Sequence, residues 1–172
     1  MKPTVLNALA AGLLFAAGSS YAAGALSFSS EETVNSEPAT VWKYVGNFNH
    51  LDLWHPQVRS STLKGKDNKP GATRTLKLSD GSELVEKLLK YNATGKSYTY
   101  TSLKSPFPIK NYVATISVTP AADGKTLMKW EATFDAINID EDIATELVAI
   151  AMNGGLGKVV TNFQKLGDAP AP

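Results

Sequence analysis

The sequence predicts an α+β protein in which one curved antiparallel sheet wraps around one long helix. Three observations predict this class. Seven segments carry strand-like patterns, turn residues separate them, and a single long helical pattern follows the last of them. Runs of strands followed by a terminal helix are typical of α+β folds, and a sheet curved around that helix is the simplest way to bury both apolar faces.

The first predicted elements after residue 22 are a strand and a short helix. Residues 25–34 alternate loosely and predict the strand. Ser36 is the expected N-cap of the helix, and Pro38 stands in its first turn, where the missing N–H costs nothing. Gly46 weakens the helix and Pro56 prevents its continuation, so we expect it to be short.

Six more strands follow the short helix. They are predicted over residues 57–64, 72–79, 82–91, 96–104, 109–119 and 125–135. Asp80-Gly81, between the second and third of these, is a strong hairpin signal. No internal repeat and no second domain is visible.

The last predicted element is a helix from Glu141 to about Leu166. Its apolar stripe is assigned to Ile143, Leu147, Ile150, Ala151, Val159 and Phe163. Gly154, Gly155 and Gly157 interrupt the pattern and can kink the helix.

The first 22 residues have the features of a secretory signal. Lys2 gives a positive start, and the apolar run Val5–Ala17 is too short to span a bilayer. We expect cleavage after Ala22, with Ala25 as the alternative site; a membrane anchor is the alternative interpretation of the segment. The expected product is an exported, periplasmic protein with a single domain over residues 23–172.

Composition restricts what that domain can do. The chain contains no cysteine, so disulfides and thiol chemistry are excluded. Removal of residues 1–22 takes away Lys2 alone and leaves 16 basic and 16 acidic side chains. This balance gives no reason to expect nucleic acid or anionic lipid as a partner, and we expect no membrane insertion of the mature chain. The tail over residues 167–172 is expected to be loose.

Residue parity predicts which side of the sheet faces inward. Even-numbered positions of the predicted strands are the more apolar, although the strand at 82–91 is ambiguous because Val85 and Leu89 are also apolar. Arg74 and Glu86 are the two charged exceptions. A three-residue loop at 79–81 would keep both on the inner face and place them directly opposite each other.

Two interpretations of this inner face stay open. Arg74 and Glu86 are either a structural ion pair or a polar anchor inside an apolar cavity. The same choice, core packing or cavity lining, applies to the inner aromatic residues Tyr98, Tyr100, Tyr112, Trp130 and Phe134.

The segment at residues 47–57, NFNHLDLWHPQ, concentrates potentially chemical side chains. His50, Asp52 and His55 are metal-ligand types, but their spacing matches no standard zinc pattern and the chain has no third histidine. His55 could act as a general base only beside an orienting carboxylate and a substrate, and no nucleophile motif accompanies it. We therefore predict no metal, no cofactor and no catalytic residue. Trp54, His55 and Pro56 are expected at the mouth of a cavity, with a packing anchor as the alternative.

Several of these motifs together resemble a known superfamily. They are Pro38-Ala39-Thr40-Val41-Trp42, Phe48 with Trp54-His55-Pro56, Gly71-Ala72-Thr73-Arg74, Asp80-Gly81 and Glu86. With the order of elements, they resemble the START-like (Bet v 1-like) superfamily, in its polyketide cyclase/dehydrase-like branch, over about residues 26–166. The resemblance implies a helix-grip fold, which is a seven-stranded antiparallel sheet around a C-terminal helix with a cavity between. It also implies that Trp54, His55, Pro56, Arg74 and Glu86 line or rim that cavity.

A narrower resemblance concerns function. Residues 45–48 and 54–56, with the export signal, are similar to the periplasmic accessory proteins of bacterial methanol oxidation. That similarity implies a non-catalytic protein that contacts a periplasmic dehydrogenase or its cytochrome. Binding of a hydrophobic or amphipathic small molecule is the first alternative, and a cyclase or dehydratase is the second, because fold alone does not fix function.

Overall fold

The computed structural model describes residues 24–167, with side chains as far as Gln164. The predicted signal segment with its cleavage site, and the tail beyond residue 167, lie outside the described residues. Within that range the chain is a seven-stranded antiparallel sheet with a long C-terminal helix, so the predicted α+β helix-grip fold is confirmed.

The strands and helices begin and end close to the predicted positions. The strands are β1 (Leu26–Val34), β2 (Val58–Lys64), β3 (Thr73–Leu78), β4 (Glu83–Asn92), β5 (Ser97–Lys104), β6 (Ile109–Pro120) and β7 (Thr126–Ala136). The helices are α1 (Pro38–Val45) and α2 (Glu141–Gly167), and short 3₁₀ turns occur at Leu51–Leu53 and Ala122–Gly124. The spatial strand order is β1-β7-β6-β5-β4-β3-β2, so α1 and the 3₁₀ turn at Leu51–Leu53 bridge the two edges of the sheet.

The β3–β4 hairpin has the predicted register. Arg74 pairs with Glu86, and the connection places Gly81 at φ +88°, in the left-handed region that glycine tolerates best. The three-residue loop is therefore what brings two charged side chains to the same face of neighbouring strands.

The predicted side-chain parity holds in the central parts of the strands and is interrupted at β-bulges, of which the one in β4 is informative. All even-numbered residues of β3 are buried, as are Tyr98 and Tyr100 of β5, the even-numbered residues from 114 to 118 in β6 and those from 126 to 134 in β7, whereas the even-numbered residues at the ends of β5 and β6 are exposed. In β4, however, Leu88 pairs with Tyr100 and Lys90 with Thr99, so that Leu89 is an extra residue in a β-bulge. After the bulge the odd-numbered Tyr91 faces inward, where its ring lies 5.8 Å from that of Trp42 on α1. The bulge accounts for Leu89, one of the two apolar residues that made the parity of this strand ambiguous; Val85 stands at a second register shift, between Val85 and Glu86.

The start of α1 differs from the prediction. Its N-cap is Glu37, which makes no side-chain cap hydrogen bond, and not Ser36. Ser36 is instead held by the sheet: its N–H donates to the carbonyl of Val34, and its carbonyl accepts the hydroxyl of Thr126 at 2.6 Å. The hydrogen bond from Thr126 of β7 therefore holds Ser36 in place just before α1 begins.

The buried face of α2 was predicted wrongly in part. Ile143 and Ile150 are 52% and 53% exposed. The fully buried face consists of Ala144, Val148, Met152, Leu156, Val159 and Phe163. The prediction assigned the large aliphatic residues to the buried face. The small residues Ala144 and Gly155 are buried instead, and Gly155 lets the helix approach the sheet closely. The helix runs without interruption through its three glycines.

By length and composition, the stretch Glu141–Gln164 of α2 is also apolar enough to cross a membrane. The core helices of soluble proteins pass the same test.

Candidate ligand-binding cavity

A cavity of about 140 Å³ lies between the concave face of the sheet and the N-terminal half of α2. The sheet contributes Leu76, Leu78, Leu84, Tyr100, Tyr112 and Trp130, and α2 contributes Leu147, Val148, Ile150, Ala151 and Met152. The lining is predominantly apolar, with few polar groups, which is typical of small-molecule sites.

The cavity opens at one end. Gln57 and Ile150, both exposed, belong to its lining, as do Ser105 and Phe107 from the β5–β6 connection. A molecule would therefore enter between the start of β2, the β5–β6 connection and α2.

Glu86 and Ser102 are two neighbouring polar residues of the lining. They are partners across β4 and β5, which places both side chains on the inner face. Glu86 is 3% exposed. The Ser102 hydroxyl oxygen is buried and has no hydrogen-bond partner among the described residues. A buried hydroxyl without a partner costs free energy, so this group is poised to bond with something that occupies the cavity.

Arg74 lies behind Glu86 and holds it in place. Its Nε donates to Glu86 Oε2 at 2.6 Å, and its Nη1 donates to the carbonyl of Phe48. The guanidinium carbon lies 4.3 Å from the centre of the Phe48 ring and 5.1 Å from that of Tyr100, both within cation–π range. Arg74 is not part of the cavity lining, so a bound molecule would meet the carboxylate and not the cation.

Burial and charge act in opposite directions on this pair. Burial is the largest single effect on the pKa of Arg74 and lowers it, but Glu86, Tyr98 and Tyr100 together outweigh burial, so the pKa is raised. Burial raises the pKa of Glu86 against the opposing effect of Arg74. Each charge is tolerable in this interior only because the other is present.

Tyrosine and tryptophan rings form the wall next to the ion pair. Trp130 Nε1 donates to the hydroxyl of Tyr100 at 3.0 Å, and the rings of Tyr100 and Tyr112 lie 6.2 Å apart. Burial raises the pKa of both tyrosines above their ordinary value. Both are therefore neutral phenols at physiological pH.

Both ring nitrogens of His55 are engaged by the backbone. Nε2 lies 3.0 Å from the carbonyl oxygen of Ala151, and the N–H of Gln57 donates to Nδ1 at 3.2 Å. A carbonyl can only accept, so the proton is on Nε2 and the ring is neutral. Burial lowers the pKa of His55 to about 4, because desolvation outweighs the bond to Ala151. Neither nitrogen is free to take a proton from a bound molecule.

Gly155 brings α2 into contact with the Trp54-His55 segment. A Cβ added at Gly155 would lie 2.8 Å from Trp130 Cζ3, 2.9 Å from His55 Cδ2 and 3.2 Å from Trp54 Cζ3. The Trp54 and Trp130 rings meet edge to face at 5.7 Å. The Trp54 and Trp130 rings pack between the sheet and α2 at Gly155. Trp54 is 1% exposed and outside the lining, so it packs against the cavity wall and does not form the opening.

The structure brings five of the ten predicted site residues to the cavity. His55, Glu86, Tyr100, Tyr112 and Trp130 belong to the lining. The other five, Trp54, Pro56, Arg74, Tyr98 and Phe134, do not. Whether any of the ten contacts a ligand stays a prediction.

These five residues lie outside the lining for separate reasons. Tyr98 is buried against the ring of Phe48, 6.1 Å away, and Phe134 is completely buried in the core. Pro56 is exposed and packs beside Gly154, while Arg74 and Trp54 support lining residues from behind. Sequence reasoning had missed Ser102, although its even number on β5 placed it on the same face as Tyr100.

His50, Asp52 and His55, the side chains of metal-ligand type in the 47–57 segment, do not lie together with other such side chains in the described residues. His50 is exposed, His55 is buried, and no three His, Cys, Asp or Glu residues within residues 24–167 are arranged to hold a metal ion.

Comparisons with solved structures show what this architecture is similar to. The protein XoxI from Bacillus cereus superposes with a TM-score of 0.78 at 28% identity, covering 83% of this chain and 99% of that one. A Thermobifida fusca protein gives 0.70 at 32% identity, covering 81% and 94%. A Nitrosospira multiformis protein gives 0.73 at 21% identity over 84% and 100%, which shows the fold alone. The search of curated proteins found no match.

The family profile described as "Polyketide cyclase / dehydrase and lipid transport" matches residues 25–165, which is the whole sheet and almost all of α2. The resemblance of the motifs, the helix-grip architecture and this match agree, and the chain belongs to that family.

Proposed function

We propose that the protein binds a small hydrophobic or amphipathic molecule in the cavity beneath α2 without chemically changing it. The observation that carries this proposal is the cavity itself, which has an apolar lining, an open end and a buried hydroxyl, that of Ser102, with no hydrogen-bond partner in the described part of the chain. Binding without catalysis is favoured because the cavity's histidine has both nitrogens engaged by the backbone.

The test is native mass spectrometry of protein purified from its own host under non-denaturing conditions. We expect a co-purified small molecule that is absent from Val148→Phe, because a larger side chain at this lining position fills the cavity. Ile143→Phe is the matched control: it adds the same kind of bulk on the exposed face of the same helix, outside the lining. Failure of the wild-type protein to retain any small molecule, together with failure to bind apolar probes in solution, would remove the proposal.

The same preparation distinguishes a cyclase or dehydratase. An enzyme of that class would convert a bound molecule, so the mass of the ligand would change during incubation. Under our proposal the mass of the ligand stays constant.

A role as an accessory protein of periplasmic methanol or alcohol oxidation is our second proposal. It rests on the resemblance of residues 45–48 and 54–56 and on the signal-like leader. Under this proposal the protein works in the periplasm and contacts a dehydrogenase or its cytochrome. Ile143, 52% exposed on α2 and outside the cavity lining, offers an apolar contact point for such a partner.

A pull-down from periplasmic extract tests this second role. We expect a dehydrogenase or cytochrome to be captured by the wild-type protein and lost with Ile143→Glu. Val148→Phe should leave that capture intact, because its side chain lies inside. If Ile143→Glu captures the partner as well as the wild type does, this helix face is not the contact.

A further inference from the structure

We infer that the cavity selects an uncharged, single-ring compound bearing a hydroxyl group, and that it discriminates against carboxylates and long acyl chains. This inference rests on the proposed binding function and deepens it by naming the class of ligand.

The first step concerns size. An apolar protein cavity of about 150 Å³ is known to hold a benzene ring. The present cavity, of about 140 Å³, therefore accommodates one ring and leaves no room for a long acyl chain inside the protein.

The second step concerns the body of the ligand. Leu76, Val148 and Met152 are fully or almost fully buried aliphatic side chains of the lining, and the edge of the Trp130 ring completes the wall. A planar apolar ring buries its whole surface against such groups, and the aromatic wall adds edge-to-face contacts.

The third step concerns the polar group. Glu86 offers carboxylate acceptor sites, and Ser102 offers a hydroxyl that can both donate and accept and that has no partner in the described part of the chain. A ligand hydroxyl can donate to Glu86 and accept from Ser102 at once. A hydrocarbon would leave Ser102 unpaired, which carries a penalty.

The fourth step concerns charge. Arg74 neutralises Glu86 from behind and does not reach the cavity surface, so the pair has no net charge to offer a ligand. A carboxylate ligand would lie against the carboxylate of Glu86 with no cation in the lining to balance it. A cationic ligand would be buried beside a carboxylate that is already satisfied by Arg74. An uncharged hydroxyl avoids both costs.

The experiment compares four probes, which are phenol, benzene, benzoate and palmitate, by calorimetry and by chemical-shift changes at the Val148 and Met152 methyl groups. It is run on the wild-type protein, on Ser102→Ala and on Ser117→Ala. Ser117 is the matched control because it lies at an odd-numbered, outward-facing position of β6 and is not part of this cavity's lining.

We expect phenol and benzene to bind in the cavity and benzoate to bind at least tenfold more weakly than phenol. Ser102→Ala should reduce the ratio of phenol affinity to benzene affinity about fivefold, the worth of one hydrogen bond, and Ser117→Ala should leave it unchanged. The melting temperature of ligand-free Ser102→Ala should equal or exceed that of the wild type, because the lost hydroxyl had no partner.

Three results would overturn the inference while leaving the binding function standing. They are an unchanged affinity ratio in Ser102→Ala, tighter binding of benzoate or palmitate than of phenol, and a lower melting temperature in Ser102→Ala, which would reveal a partner inside the protein. If neither benzene nor phenol perturbs the cavity methyl groups, the proposed function and the inference fall together.

Discussion

Arg74 and Glu86 face each other across the β3–β4 hairpin with 2.6 Å between Nε and Oε2, and neither side chain is more than 4% exposed. Glu86 lines the cavity and Arg74 lies behind it, where the guanidinium donates to the carbonyl of Phe48 and lies over the Phe48 ring. The pair thus links the hairpin, the α1 connection and the proposed binding site.

The first prediction concerns this pair. Glu86→Leu should lower the free energy of unfolding by about 3–5 kcal/mol, because Arg74 would remain buried without a counter-charge. The double variant Arg74→Met, Glu86→Leu should lose clearly less than the sum of the two single variants. Urea unfolding of all four proteins measures the coupling. Additive losses would show that the two charges do not stabilise each other.

The second prediction concerns pH. The pKa of His55 is about 4 in the folded protein, against an ordinary value near 6.5, so between these values the unfolded chain binds the extra proton. The contribution of neutral His55 to the free energy of unfolding is fully present above pH 6.5. It decreases by about 3 kcal/mol as the pH falls to 4. His55→Gln can still donate to Ala151 but does not titrate. The difference in unfolding free energy between wild type and variant should shift by that amount between pH 7.5 and 4, and a difference that does not vary with pH would contradict the buried neutral histidine.

The third prediction uses two glycines of α2. Gly155→Ala should destabilise the protein by about 1–3 kcal/mol, because the new methyl group would press on the Trp130 and His55 rings, 2.8 and 2.9 Å away. Gly157→Ala meets nothing within 4 Å and should gain up to about 1 kcal/mol from helix propensity. Thermal melts of both variants provide the check; equal effects at the two positions would mean that the close approach is not as described.

The fourth prediction concerns the hairpin loop. Gly81→Ala should cost about 1 kcal/mol although the site is open, since φ is +88° there. Gly81→Asn should cost less, because asparagine tolerates this region better than alanine. Chemical denaturation ranks the two variants, and the opposite order would argue for another loop conformation.

The sequence was sufficient to predict most of the fold because its signals were local. Asp80-Gly81 determined the hairpin register, and the alternation in β3, β5 and β7 determined the inner face. The tie of Ser36 to Thr126 and the exposed positions of Ile143 and Ile150 could not be predicted, since both depend on how distant elements pack.

The candidate site was predicted in outline only. Tyr100 and Trp130 were identified from parity, whereas Val148 and Met152 were missed because the inner face of α2 is set by the close approach at Gly155. Tyr98 and Phe134 share the inner parity but lie beyond the cavity, since parity gives the side of a sheet and not the position along it.

The bulge at Leu89 has a consequence for how the length of this chain can vary. Deleting Leu89 would join Leu88 to Lys90 in plain alternation and keep Tyr91 pointing at α1, at the expense of the local bend. Deleting Lys87 would instead force either Glu86 or Leu88 onto the outer face. Among natural variants of this domain, single-residue gaps within β4 should therefore collect at the bulge.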